Sequence, residues 1–126
     1  MIMNYGEFVK PKGSKIDAYI GLCLLAPAYA HSAHFTTKSY AKHKTFDKFF
    51  SEMPELIDTF GEIYIGSDNV YVHSFPSGVP MDMKALLDLI ISQSDEIYSG
   101  LCHAGQSAVD NITTLCKQTK YLMSLV

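Results

Sequence analysis

Apolar residues recur at three- and four-residue intervals in four stretches of the chain, the period of helices with one buried side. The first stretch carries Ile16, Ile20, Cys23, Leu24, Pro27 and Ala28, with His31 and His34 next on its stripe. Ser14 followed by Asp17 is a capping box that starts it. A break is expected between Thr36 and Ala41, where Thr36, Thr37 and Ser39 favour a turn. The second stretch runs from about Tyr40 or His43 to Ile65 through Phe46, Phe49, Met53, Ile57 and Phe60. Its period continues without a shift across Pro54, which predicts one kinked helix rather than two. The third helix is expected from about Met81 to His103, weakened near Ser99 and Gly100. The fourth is expected after Gly105, with Ser107 and Asp110 as a second capping box and Ala104-Gly105-Gln106 as the loop.

Between the second and third stretches, Gly66 to Pro80 has no helical period. It holds Gly-Ser-Asp-Asn, the β-branched and aromatic run Val70-Tyr71-Val72, and Phe75-Pro-Ser-Gly. A lone strand there would have nothing to pair with, so an extended connection is expected. Its length allows it to cross from one end of a bundle to the other. The pattern therefore predicts an all-α, antiparallel four-helix bundle on the ferritin-like plan, with residues 66–80 as a long crossover. All 126 residues make one domain, with residues 1–13 as an N-terminal arm.

Composition narrows the function classes. A formal net charge of -3 argues against a nucleic-acid binder; only Lys10, Lys12 and Lys15 form a basic run, read as a solvated tail. No stretch approaches the ~20 apolar residues of a membrane span. Ala18 to Ala30 resembles the apolar part of a signal peptide, but Asp17, Tyr19 and Pro27 interrupt it and its removal would discard core. Cys23, Cys102 and Cys116 form no C-x-x-C pair and are expected as buried thiols in a reducing, cytoplasmic compartment.

The candidate chemistry lies in the first two helices. His43 and Asp47 are four apart and share a helix side, as do Asp58 and Glu62; His31 closes the first helix. Fifteen residues separate His43 from Asp58, about 22 Å along one helix. One ion cannot reach both from one straight chain, but a second copy lying in reverse could supply the missing half. Two imidazoles with carboxylates suit Fe(II), Mn(II) or Zn(II). The alternative for the same residues is solvated carboxylates and helix-end histidines that complement the dipole. His34 is placed beside the site or at the helix end, Glu52 and Glu55 near an entry path or in solvent, and His73 and His103 in ordinary polar roles.

The run from His31 through His43 and Asp47 to Asp58 and Glu62, with Glu55-Leu-Ile-Asp-Thr-Phe-Gly-Glu62 inside it, resembles the Dps family of mini-ferritins over residues 14–66. The resemblance implies an iron-binding, ferroxidase-like site shared between subunits. His31, His43, Asp47, Asp58 and Glu62 would be its ligands, with Fe(II) oxidised by peroxide or O2 for storage or detoxification. It also implies a homo-oligomer built on a two-fold interface. The chain departs from the family at Ser32, where Trp is usual, in a turn without Gly, at Pro54 and in its shorter length. On these departures rests the competing reading: a non-catalytic oligomeric bundle with a structural metal or a decayed site.

Overall fold

The computed structural model describes residues 13–80 and 82–125. The described residues form four helices and no strand: α1 (Lys15–Thr36), α2 (Tyr40–Gly66), α3 (Met83–Tyr98) and α4 (His103–Met123). The expected arm, residues 1–13, lies outside the described residues except for Gly13.

Each helix begins where a side chain can take up a free amide. Ser14 Oγ accepts from the Asp17 amide at 3.1 Å, and Asp17 Oδ2 accepts from the Ser14 amide at 2.8 Å, so the first capping box forms as expected. Ser39 accepts from Lys42 and starts α2 after the turn at residues 37–39. Asp82 accepts from Ala85 and starts α3. Both Pro27 and Pro54 lie inside continuous helices. Each lacks one amide donor, a loss the packed neighbours of α1 and α2 tolerate. Past α2, Asp68 takes a left-handed backbone with φ 66, a conformation Asp adopts more readily than most residues.

The second half corrects three expectations. The third helix is shorter than Met81 to His103, ending at Tyr98, because Ser99 and Gly100 stop it. The fourth begins at His103, so Ala104, Gly105 and Gln106 are helical, and Ser107 with Asp110 is no capping box. The cap is Cys102, whose Sγ accepts from the Gly105 amide at 3.4 Å. Gly105 is buried, and a Cβ there would stand 3.4 Å from Leu101 Cβ, so the start of α4 presses closely on the loop before it. The thiol prediction is corrected as well: Cys23 and Cys116 are buried, but Cys102 is exposed.

Four helix pairs are in contact: α1 with α2, α2 with α4, α4 with α3, and α3 with α1. The helices thus close a ring around one core, in which Tyr19, Phe49, Met53, Phe60, Leu86 and Leu87 are fully buried. Burying such a side chain stabilises the fold by about 1.5–3 kcal/mol. Tyr19 and Phe60 meet edge to face, with centroids 5.6 Å apart. Tyr19 keeps its hydroxyl satisfied inside this core, 2.8 Å from Ser94 Oγ.

The connection between α2 and α3 lies against the start of α1. The Val72 amide donates to Asp17 Oδ1 at 3.2 Å. A Cβ on Gly21 would stand 2.3 Å from the Ser74 carbonyl oxygen, so only glycine lets the two backbones approach this closely. Gly21→Ala is therefore expected to destabilise the protein by about 1–3 kcal/mol in urea unfolding. Gly66→Ala, where nothing lies within 4 Å, should change stability by less than about 1 kcal/mol. Equal midpoints for the two variants would show that the connection does not bear on α1.

Candidate functional site

The turn between α1 and α2 gathers imidazoles rather than carboxylates. His31 and His34 are on the last turns of α1, and His43 is on the first turn of α2. The His34 Nδ1 donates to the His43 carbonyl at 3.0 Å, and the His43 Nδ1 donates to the His34 carbonyl at 3.0 Å. Both acceptors are carbonyl oxygens, so each ring carries a proton on Nδ1, and in its neutral form the lone pair lies on Nε2. The rings stack with centroids 3.7 Å apart and planes at 23°. His34 belongs to the last turn of α1, where carbonyls lack an intrahelical donor, so His43 caps α1 from the neighbouring helix.

His31 meets the edge of His34, with ring centroids 5.8 Å apart and planes at 71°. Its ring stacks on Phe50 of α2, with centroids 4.2 Å apart and planes at 11°, and on Phe35 at 5.0 Å. It is solvent-exposed, whereas His34 and His43 are half-buried. Asp47 is half-buried one turn beyond His43. Asp58 and Glu62 are exposed in the far half of α2, beside Ile20, Leu24 and Tyr71. Because α2 runs unbroken through Pro54, it holds Asp58 about 22 Å and Glu62 about 28 Å from His43. Of the five predicted ligands, one chain brings His31, His43 and Asp47 to one end of the hairpin and Asp58 and Glu62 to the other. Among the described residues, no three His, Cys, Asp or Glu side chains converge as a metal site would require. Sequence reasoning gave His34 only a subsidiary place, although it is the direct partner of His43. Its signal was weak: nine residues and a turn separate the two rings.

The model of a family of unknown function, DUF5856, matches residues 34–123. The chain belongs to this family. It is also 49% identical to the uncharacterized 14.6 kDa protein in the mobD-ri intergenic region of Enterobacteria phage T4, over 98% of this chain and 99% of the phage protein. No solved structure matches. The DUF5856 match begins at His34, so it includes His43, Asp47, Asp58 and Glu62 and leaves out His31.

A second chemical feature of this DUF5856 chain stands at the opposite end of the hairpin. A cavity of about 250 Å³ opens between the end of α2 and the start of α4, lined by Ile16, Phe60, Tyr64, Ser67, Leu101 and Cys102 among others. The Gly105 amide and, next, Ser67 Oγ at 3.7 Å hold the Cys102 thiol below its ordinary range. Burial acts in the reverse sense on the other two thiols: Cys116 is pushed up to about 12 and Cys23 well above its usual value. Spacing could not single out Cys102, because the predicted start of α4 fell after it.

Two outcomes follow from these geometries. In a double-mutant cycle, His34→Ala and His43→Ala should each cost about 1–2 kcal/mol through a lost ring-to-carbonyl hydrogen bond, and they should show a coupling of up to about 1 kcal/mol because each ring loses its stacking partner. Strict additivity would mean that the stacked pair is incidental. In native protein, Cys102 should react with a thiol reagent well before Cys23 and Cys116, and its rate should rise at lower pH than that of an ordinary exposed thiol. Uniform labelling of all three thiols would contradict the burial pattern.

Proposed function

We propose that the protein acts as a non-catalytic, self-associating helical bundle, in which the imidazoles at the α1/α2 turn serve as a structural clasp with room for at most one structural ion. The observation carrying this reading is the reciprocal His34–His43 arrangement, which uses both Nδ1 atoms to tie the two helices together. A second support is the distance from these rings to Asp58 and Glu62. Within one chain the donor set does not fit a dinuclear iron centre. The lone pairs left on Nε2 suit a single divalent ion in the Zn(II), Mn(II) or Fe(II) class.

The helix order also supports a ferritin-like plan with antiparallel neighbours and a long crossover. Lys15 at the start of α1 pairs with Glu96 near the end of α3, and Ser67 past α2 meets Cys102 before α4. Lys120 near the end of α4 pairs with Asp88 in the first half of α3. These contacts favour a long crossover, with the end of α2 and the start of α3 at opposite ends of the bundle. No described helix is long and apolar enough to cross a membrane, and the three free thiols fit a reducing, cytoplasmic setting.

One observation favours a second, Dps-like reading. Asp58 and Glu62 are exposed and form no ion pair among the described residues, and His43 is already in the tautomer that a metal ligand needs. Two chains could then share a site made of His31, His43 and Asp47 from one copy and the two acids from another. Fe(II) would be the substrate and peroxide or O2 the oxidant.

Anaerobic titration with Fe(II) followed by peroxide separates the readings. The expected result is at most one ion per chain and no ferric absorbance above the protein-free rate. Sustained Fe(II) oxidation that Asp58→Ala with Glu62→Ala abolishes would overturn the non-catalytic reading in favour of the second.

A further inference from the structure

Helix α1 has no charged residue from Ala18 to Thr37. A helix on the outside of a monomeric bundle normally turns a charged side to water; one that lacks it is covered. Three sides of α1 are occupied, by α2, by α3 and by the connection at Val72 to Phe75. Among the described residues the fourth is open along Leu24, Ala28, His31 and Phe35, which recur at helical spacing and are all exposed, Leu24 by 46% and Phe35 by 75%. Beside it Ile65 of α2, 55% exposed, lines the same shallow groove as Leu24.

The adjoining side of α2 identifies the partner. Lys44, Lys48, Ser51, Glu55, Asp58 and Glu62 follow one another at intervals of three and four, and all six are exposed. Cations stand at the helix start and carboxylates toward its end, the reverse of what the helix dipole favours; α2 has no acid in its first turn and no base in its last. Read backward, the stripe is its own complement. Lys44 and Glu62 straddle Met53, as do Lys48 and Asp58, and as do Ser51 and Glu55. A second copy laid alongside in reverse would meet each lysine with a carboxylate.

We propose that the open side of the α1/α2 hairpin binds a second copy of this chain across a two-fold axis at the level of Met53, sealed by Leu24, Phe35 and Ile65 and registered by the charge stripe. The proposal rests on the self-association in the reading above and requires no metal. A helix of 27 residues is about 40 Å long, and two side by side are about 20 Å wide, so the face offers about 800 Å² per copy, the area of an ordinary specific interface. Lys48 also lies 4.0 Å from Glu52 in its own chain, a loose exposed pair that an intermolecular partner can replace.

Sedimentation velocity in buffer containing a chelator tests this, with circular dichroism to verify folding. The parent should be a dimer. Lys44→Glu with Lys48→Glu, and separately Asp58→Lys with Glu62→Lys, should each weaken it about a hundredfold, because four pairs of like charges then face each other in the dimer. An equal mixture of the two variants should restore association to within about tenfold of the parent, since the reversed stripes complement one another. A monomeric parent overturns both the proposal and the self-association beneath it. If the parent associates but the variants match it, or the mixture is no tighter than either alone, self-association stands and this face is wrong. Iron oxidation, present or absent, does not alter these outcomes.

Discussion

Beyond its first turn α1 carries no Asp, Glu, Lys or Arg to give to water, and the bundle is arranged around that constraint. From Ala18 to Thr37, α1 must find apolar or hydrogen-bonding neighbours in every direction. It obtains Tyr19 against Phe60 of α2, Ser94 of α3 at the tyrosine hydroxyl, and a backbone seated on Gly21. Such burial supplies most of the favourable free energy of a small domain. Both the connection's path and the exposed stripe on the outer side of the hairpin follow from the same demand.

The imidazole cluster belongs to this picture as well. An uncharged helix still ends in carbonyls that need donors, and here the donor comes from His43 on the next helix, while His34 returns the contact. Imidazole suits the position because its flat ring can stack while one nitrogen donates. The free Nε2 atoms are a by-product with chemical potential.

Much of this was legible along the chain. The box at Ser14 and Asp17, the unbroken period across Pro54 and the aperiodic stretch after Gly66 each rest on local chemistry, and each appears in the structure. The start of α4 was not legible. Cysteine is an uncommon cap, and Ser107 with Asp110 offered a better-looking one, yet it is the Cys102 thiol that takes up the Gly105 amide. The pairing of His34 with His43 was hidden for a similar reason. It depends on how two helices are rotated about the turn, which spacing within either helix does not encode. The five proposed ligands were placed correctly along their helices, and their separation into two groups was readable from residue count alone.

The seat that Gly21 makes for Ser74 gives the connection a mechanical character. A tether of this length, hung free, would add nothing to the packing of α1 on α3 and of α2 on α4 that already joins the two hairpins. Clipped to α1 at Asp17 and Gly21, it behaves as a strut, with short spans on either side of the clip. Displacement of α3 and α4 is then felt at the start of α1 through the main chain as well as through packed side chains, so the domain responds to load as one piece.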